Sequence, residues 1–181
     1  MRDGLWRSAD VLKGCSIGFH GEPEARVIIV ESGLVKLSYL SVKGNERIKS
    51  LIADVGVFGG FEPGEDLSYE AVCLEPSRVV GLPMPWVRES FANNAGLQKA
   101  VSEFWSWLST KKRDRENALL CMTPVQRYRA LQIREPSLVS RISQGDIARY
   151  IGVTPIAFSR IKRRLRETRS AGTDGDITGR L

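Results

Sequence analysis

The chain has 181 residues, of which 42% are hydrophobic, and it carries a formal net charge of +6. This length suits one large or two small globular domains. No run of about 18 apolar residues occurs, which argues against a membrane-spanning helix. Residues 1–14 lack the apolar stretch of a signal peptide, so we expect a cytoplasmic protein.

The charge is unevenly distributed along the chain. Residues 1–109 contain 11 Lys and Arg against 14 Asp and Glu, a net charge of −3. Residues 110–169 contain 15 against 5, a net charge of +10. A basic carboxyl-terminal part is typical of a domain that binds a polyanion. The acidic-leaning part before it predicts a different role for that half.

Short β-strands are predicted between residues 25 and 82. Five runs rich in Val, Ile and Leu are separated by turn residues such as Gly33 and Gly44. The runs are Ala25–Val30, Leu34–Leu40, Arg47–Ile52, Tyr69–Cys73 and Arg78–Leu82. Strands this short and this frequent favour an antiparallel roll or barrel. Residues 1–20 are ambiguous and could add a short helix and an edge strand.

A helical pattern extends from Pro85 to about Cys121. Its apolar residues recur at alternating steps of four and three, which is typical of a helix that pairs with a second copy of itself. These seam residues are Leu97, Val101, Phe104 and Leu108. Trp105 and Trp107 lie off the seam and are predicted to anchor the helix to the roll. The alternative is a core helix of a monomer.

Three further helices are indicated after Cys121. Thr123-Pro124 begins one that continues to Arg134, because Thr is a good cap and Pro suits the first helical position. Glu135-Pro136 ends it, and Leu138–Ile142 forms a short bridge. The segment Ser143–Arg166 then reads as two short helices that meet at Gly152, where a positive φ favours glycine.

This helix pair has one apolar stripe and one basic face. Ala148 is small where the two helices cross, Thr154 can cap the second helix and Pro155 can start it. The apolar positions are Ile147, Ile151, Val153, Phe158 and Ile161. Opposite them lie Ser159, Arg160, Arg163 and Arg164. Such a helix fits a DNA major groove, with its first turns at the base edges and its basic end at phosphates.

The sequence offers no catalytic or metal-binding set. Cys15, Cys73 and Cys121 are far apart and form no CxxC pair, and the single histidine, His20, is a poor candidate ligand. Neither a GxSxG motif nor a phosphate-binding loop is present. We therefore expect neither a metal nor another cofactor, and no enzymatic activity.

A roll, a long seam helix and a helix–turn–helix that ends in SRIKRRLRE together resemble the Crp/Fnr family of bacterial transcription regulators. The resemblance covers roughly residues 18–167 and includes the hairpin-like stretch VIIVESGLVKLSYLSVKGNERIKSL. It implies an α+β fold with an antiparallel, cyclic-nucleotide-binding-like roll, a dimerisation helix and a helix–turn–helix domain. It also implies a homodimer that binds a near-palindromic DNA site and, if it activates, RNA polymerase.

The sequence departs from this family where cyclic nucleotides bind. The family places a glutamate and an arginine in this cassette, for the ribose hydroxyl and the cyclic phosphate. Here those positions fall on Val57 and Leu67, and a shifted alignment puts Gly60 in place of the acid. No Lys or Arg occurs between Lys49 and Arg78. We expect no cyclic-nucleotide control. The roll could instead hold an organic effector in an apolar pocket or be a degenerate scaffold; the candidate pocket residues are Val57, Phe58, Leu67 and Ser68.

The DNA-binding end also departs from the family pattern. Pro155 and Ile156 replace an arginine and a glutamate of the first helical turn, while the later arginine is present as Arg160. We expect Arg160 to contact guanine or a phosphate, with Ser159 beside it and Ile156 against a thymine methyl. The remaining residues of this face are expected at phosphates: Gln144, Thr154, Lys162, Arg163 and Arg164. The wing that usually follows is expected to be missing or vestigial.

The predicted organisation is a roll over residues 1–94, a dimerisation helix over 95–121, a helix–turn–helix domain over 122–168 and a flexible tail over 169–181. The predicted function is sequence-specific regulation of transcription as a homodimer. The alternative is a regulatory module that binds a small molecule or a protein and whose DNA-binding domain is vestigial.

Overall fold

A computed structural model of the chain describes residues 7–17, 26–42, 44–59 and 69–171. The chain divides into two compact units, Met1–Asn117 and Ala118–Leu181. Within the described ranges, the strands are β1 (Arg7–Val11), β2 (Arg26–Ser32), β3 (Leu34–Leu40), β4 (Glu46–Ala53), β5 (Gly56–Gly59), β6 (Glu70–Cys73) and β7 (Ser77–Pro83). The helices are α1 (Met84–Asn93), α2 (Ala95–Cys121), α3 (Pro124–Arg134), α4 (Pro136–Arg141), α5 (Gln144–Tyr150) and α6 (Pro155–Ala171).

The strands form two antiparallel sheets. One has the order β1-β7-β2-β5 and the other the order β4-β3-β6. An isolated bridge between Ser16 and Val72 adds a short edge segment beside β6. The sheets enclose one apolar cluster, formed by Ile28, Val30, Val35, Leu37, Phe58, Ala71, Cys73 and Val79. The predicted antiparallel roll is confirmed.

The strand positions follow from the alternation of apolar residues. In β3, Val35 and Leu37 are buried in the cluster and Lys36 between them is not, as the two-residue period of a strand requires. All five predicted runs are strands within a residue or two of their expected ends. The sequence did not indicate β5, which has only 4 residues. The ambiguous first segment includes β1, an edge strand that pairs with β7.

A close approach at Gly33 fixes the turn between β2 and β3. Gly33 has a φ of +104°, and its N–H donates to Asp54 Oδ1 over 2.7 Å. A Cβ at this position would lie 2.3 Å from Ser77 Oγ and 2.7 Å from Ser77 Cα. The buried Ser77 hydroxyl in turn accepts from Leu34 N–H and donates to the Glu75 carbonyl. Only glycine fits here without displacing β7.

The helical region after β7 contains a break where the predicted dimerisation helix, 95–121, begins, although the helical pattern runs on from Pro85. Asn94 is extended, with φ −134° and ψ 101°, and separates α1 from α2. Its side-chain oxygen accepts from Leu97 N–H at the start of α2. Asparagine favours such caps because its side chain can replace the missing helical acceptor.

Helix α2 has 27 residues, none of which is buried. The four predicted seam residues are half-buried, whereas their neighbours on the helix are exposed. Trp105 and Trp107 are 57% and 54% exposed, so the prediction that they anchor the helix to the roll is wrong. Farther along, Arg115 is half-buried and donates to the Ile48 carbonyl of β4 over 2.6 Å.

The carboxyl-terminal unit holds the predicted helix–turn–helix. Thr123 caps α3 with a reciprocal pair of hydrogen bonds to Gln126. The expected bridge after Pro136 is a short helix, α4, which buries Leu138. Helix α6 extends to Ala171, so the first three residues of the tail predicted over 169–181 are helical. No strand follows α6 among the described residues, which end at Ala171. The described helices also lack the combination of length and apolar character that a bilayer span requires.

The effect of the Gly33 contact can be separated from that of its positive φ. We expect Gly33→Ala to lower the free energy of unfolding by about 2–4 kcal/mol, because it adds overlap with Ser77 to the strain of a left-handed residue. Gly44→Ala is the control: Gly44 has a φ of +72° but nothing within 4 Å of an added Cβ. Gly44→Ala should lower the free energy of unfolding by about 1 kcal/mol. Equal losses in urea denaturation would contradict the proposed role of the contact.

Candidate nucleic-acid interface

The helix pair α5–α6 is built on a small buried core. Ile147, Ala148, Ile151 and Phe158 are each at most 2% exposed. The Phe158 ring meets the Tyr128 ring of α3 edge to face, with 4.8 Å between centroids. Aromatic pairs of this geometry contribute about 0.5–1.5 kcal/mol beyond the area they bury. This core fixes which side of α6 faces inward.

The turn between the two helices depends on glycine and threonine. Gly152 has a φ of +79°, and the next residue, Val153, donates its N–H to the Ala148 carbonyl over 2.9 Å. The Thr154 hydroxyl accepts from Ala157 N–H over 3.2 Å and caps α6, whose first residue is Pro155. These are the local features that the sequence predicted for the bend.

A buried carboxylate holds the start of α5, and sequence reasoning missed it. Asp146 is 8% exposed. Its carboxylate accepts from the Ser143 hydroxyl over 2.6 Å and from Arg149 Nη1 over 3.1 Å. The Ser143 hydroxyl also accepts from Asp146 N–H and caps the helix. The Ser-x-x-Asp spacing resembles a capping box, so this signal was present in the sequence.

The outer face of α6, the turn before it and the first residue of α5 present the predicted binding residues. All but one are exposed: Gln144, Thr154, Pro155, Ile156, Ser159, Arg160, Arg163 and Arg164. The Ile156 side chain is 69% exposed, which is unusual for isoleucine. The side chains of Ser159 and Arg160 lie together on this face and make no hydrogen bond or ion pair with the side chains or backbone of the described residues. Arg163 lies 3.6 Å from Glu167 in an exposed pair, which holds it only weakly.

Lys162 differs from the other predicted residues because it is half-buried. Its ammonium donates to Gln144 Oε1 over 2.7 Å. The bond joins the middle of α6 to the first residue of α5, and it orients the Gln144 amide so that its nitrogen points away from Lys162. Two predicted phosphate contacts, which lie 18 residues apart in the sequence, therefore form one polar pair.

Arg127 of α3 is a second residue that sequence reasoning missed. Its Nε donates to the Ile151 carbonyl over 2.7 Å, at the end of α5. Its Nη1 donates to the Met122 carbonyl over 2.7 Å and to the Leu119 carbonyl over 3.3 Å. One guanidinium thus satisfies carbonyls at the carboxyl ends of two helices, where positive charge is favoured. Leu119 also approaches the turn, since a Cβ at Gly152 would lie 3.3 Å from Leu119 Cδ2.

The candidate effector residues of the roll are not brought together where the structure describes them. Phe58 belongs to the buried cluster, and Val57 is half-buried. Adjacent residues of a strand point to opposite faces, so one pocket cannot contain both side chains. Leu67, Ser68 and Gly60 lie outside the described residues, as does His20. The predicted pocket therefore cannot hold Val57 and Phe58 together, and the places of Leu67 and Ser68 in it stay a prediction.

Two titratable side chains in or directly before β6, Tyr69 and Cys73, have raised pKa values. Burial raises the pKa of Tyr69 to about 12, although a backbone hydrogen bond at Gly59 acts in the opposite direction. The Lys49 ammonium lies 4.0 Å from the centre of the Tyr69 ring. Burial also raises the pKa of the Cys73 thiol, partly offset by a hydrogen bond with the Ser77 side chain. Both groups therefore stay protonated at neutral pH.

Comparison with known proteins gives the same fold. No protein-family model matches the chain. The chain is 25% identical over 173 residues to the global nitrogen regulator of Synechococcus elongatus, a match that covers 87% of this chain and 78% of that protein. The structure of FixK2 from Bradyrhizobium japonicum matches with a TM-score of 0.76 and 18% identity, over 91% of this chain and 86% of that one.

A third match carries a family description. It is a protein from Eubacterium rectale described as a transcriptional regulator of the Crp/Fnr family. It matches with a TM-score of 0.67 and 14% identity, over 90% of this chain and 79% of that one. The fold implied by the resemblance is therefore confirmed: a roll, a long helix and a helix–turn–helix, in that order.

We expect Arg127→Gln to lower the stability of the carboxyl-terminal unit by about 2–4 kcal/mol, because helix-end carbonyls lose charged hydrogen bonds. Arg129→Gln on the exposed side of the same helix is the matched control and should cost less than about 0.5 kcal/mol. Thermal unfolding followed by circular dichroism measures both. Similar effects of the two variants would contradict the bracing role of Arg127.

Proposed function

We propose that this chain, which has the fold of the Crp/Fnr-type regulators, is a homodimeric transcription regulator that binds a specific DNA sequence. The observation that carries the proposal is the exposed outer face of α6 above a fully packed core. Residues 110–169, which contain all but the last two residues of this helix, have a net charge of +10. A rigid basic helix of this kind fits the major groove, and its charge matches the phosphates on either side.

The base-reading part of the proposal concerns the first turns of α6. Arg160 would contact guanine, since a guanidinium can donate two hydrogen bonds to the guanine edge. Ser159 lies beside it, and the exposed Ile156 suits the methyl group of thymine. Pro155 and Thr154 place this turn at the groove edge. Burial of Ile156 against DNA would also account for its unusual exposure in the free protein.

The phosphate-binding part involves both helices of the pair. Because Lys162 binds the amide oxygen of Gln144, the amide N–H₂ and the ammonium both keep N–H groups that can donate to DNA phosphates. Thr154 at the turn, with Arg163 and Arg164 along α6, would extend these contacts along the backbone. Arg127 would act indirectly, because it holds the turn without facing the DNA.

A second copy of the chain would pair along α2. A helix of 27 residues without one buried residue is not stabilised by its own packing. Leu97, Val101, Phe104 and Leu108 supply the seam at alternating steps of four and three. In that repeat Trp105 and Trp107 flank the seam, on either side of Phe104, where residues cover a paired interface. The Phe104 ring already contacts both, at centroid distances of 6.0 and 5.9 Å.

A symmetric dimer implies the form of the DNA site. The two copies of α6 would enter successive major grooves about 34 Å apart, on a near-palindromic sequence. We propose that such a regulator acts in the cytoplasm, without enzymatic activity and without cyclic-nucleotide control, because Val57 and Leu67 stand where a carboxylate and a guanidinium are needed. An organic effector and, for an activator, RNA polymerase would be further partners.

Arg160→Ala and Lys162→Ala separate base reading from phosphate binding. The binding site is first selected from random DNA. We expect Arg160→Ala to weaken the binding free energy for that site by about 1–3 kcal/mol and to change binding to random DNA little. Lys162→Ala should lower the affinities for the selected site and for random DNA by a similar factor, and it should reduce the dependence of affinity on salt. Arg129→Ala, which changes charge away from this face, is the control. Fluorescence anisotropy at several salt concentrations measures all four proteins.

Equal losses on specific and random DNA for Arg160→Ala would contradict its reading role. A wild-type protein that selects no DNA sequence, yet retains a discrete small molecule or protein partner, would favour the alternative of a regulatory module with a vestigial DNA-binding domain.

Val101→Glu tests the seam. A buried glutamate in each copy should raise the dimer dissociation constant by at least about tenfold, because an unpaired charge would lose its hydration. Ser106→Glu, on the opposite side of α2, is the control and should leave the dimer intact. Sedimentation equilibrium gives the constant, and dissociation should red-shift the tryptophan emission. A wild-type protein that is monomeric at micromolar concentration would contradict the proposal.

A further inference from the structure

Two of the three cysteines lie opposite each other, although 58 positions separate them in the sequence. The bridge between Ser16 and Val72 places Cys15 directly across from Cys73 in an antiparallel pair. The register is supported by hydrogen bonds from Ile17 N–H to the Ala71 carbonyl, 2.8 Å, and from Cys73 N–H to the Cys15 carbonyl, 3.0 Å. Nothing in the sequence indicated this proximity.

The distance between such residues suits a disulfide. Opposite residues of an antiparallel pair have Cα atoms roughly 4.5–5.5 Å apart. Disulfides form across Cα separations of about 4.4–6.8 Å. Opposite side chains also lie on the same face of the sheet. Ile17, two residues from Cys15, packs against the roll cluster that contains Cys73, so this face is the inner one.

The two thiols differ in accessibility. Cys15 is exposed, whereas Cys73 is completely buried. The backbone around Cys15 bends: its N–H donates to the Leu12 carbonyl, and Gly14, with a φ of +85°, donates instead to the Cys73 carbonyl. This edge segment holds only a few main-chain bonds and can adjust locally. An exposed thiol beside a buried one suits a reaction in which the first meets the oxidant and the second completes the bond.

We propose that Cys15 and Cys73 form a reversible disulfide when the protein meets a peroxide. The Cys15 thiolate attacks one peroxide oxygen, the O–O bond breaks, and hydroxide leaves with a proton as water. The Cys73 sulfur then attacks the resulting sulfenic acid after losing its proton, the S–O bond breaks, and a second water forms. Two thiols are oxidised, one peroxide is reduced, and the edge segment becomes covalently joined to β6.

The burial of Cys73 sets the order of these steps. Burial shields the Cys73 thiol from solvent and raises its pKa, so peroxide meets the exposed Cys15 first. Cys121, at the end of α2, is exposed and takes no part in the pair. It is removed in the test because an exposed thiol can cross-link two molecules.

The test uses the full-length Cys121→Ser protein treated with hydrogen peroxide under native conditions. We expect both remaining thiols to disappear together, with the loss of two hydrogens by intact mass and a cross-linked peptide that joins Cys15 to Cys73. Dithiothreitol should restore both thiols. In Cys15→Ser/Cys121→Ser, the remaining Cys73 thiol should react at least tenfold more slowly, because it is buried.

Three outcomes would overturn the proposal. Both thiols could survive peroxide, Cys15 could stop at a sulfinic acid while Cys73 stays reduced, or the main product could be a disulfide between the Cys15 residues of two molecules. Cys15 is exposed, so its replacement by serine leaves the core intact, and circular dichroism checks that this variant is folded. None of these measurements depends on DNA binding.

Discussion

The packing of Phe158 beneath α6 is the constraint on which the proposed function depends. Because this ring and the Ile147 side chain are buried, the opposite side of α6 must face solvent. Ser159 and Arg160 immediately follow Phe158, so their direction is set by it. A helix that could rotate would present a mixture of faces to DNA, whereas this one presents a single set of side chains.

Hydrogen bonds of charged side chains join the helices that the apolar core packs together. Arg127 ties the end of α5 to carbonyls at the end of α2, and Lys162 joins α6 to the start of α5. Asp146 holds the first turn of α5 from inside. Each of these charged groups has hydrogen-bond partners, which offset part of the cost of removing it from water. The exposed positive charge lies on the outer side of α6, at Arg160, Arg163 and Arg164.

Much of this arrangement could be predicted from the sequence because it depends on local signals. Val35 and Leu37 alternate with polar residues, Gly152 marks a positive φ, and Thr154-Pro155 begins a helix, and each of these signals lies within a few residues. The helical pattern that starts at Pro85 did not show that residues before Asn94 form a separate helix, α1, because the pattern continues on both sides of Asn94. The short strand β5 was missed because its pairing with β2 is not visible in four residues.

The contacts that the sequence could not indicate join distant segments. From the sequence, Arg127 cannot be distinguished from other surface charges. Only the structure shows that it donates to the Ile151 carbonyl. Cys15 and Cys73 are unrelated in sequence and opposite in the sheet. Trp105 and Trp107 were assigned to the roll on hydrophobicity alone, yet both side chains are exposed. Tertiary geometry decides all three cases.

Selection of binding sites from random DNA by the purified wild-type protein tests the central claim most directly. The account predicts enrichment of a near-palindromic sequence whose half-sites lie one helical turn apart, about 34 Å between centres. Recovery of an unenriched pool, bound no more tightly than bulk DNA at the same salt concentration, would contradict it.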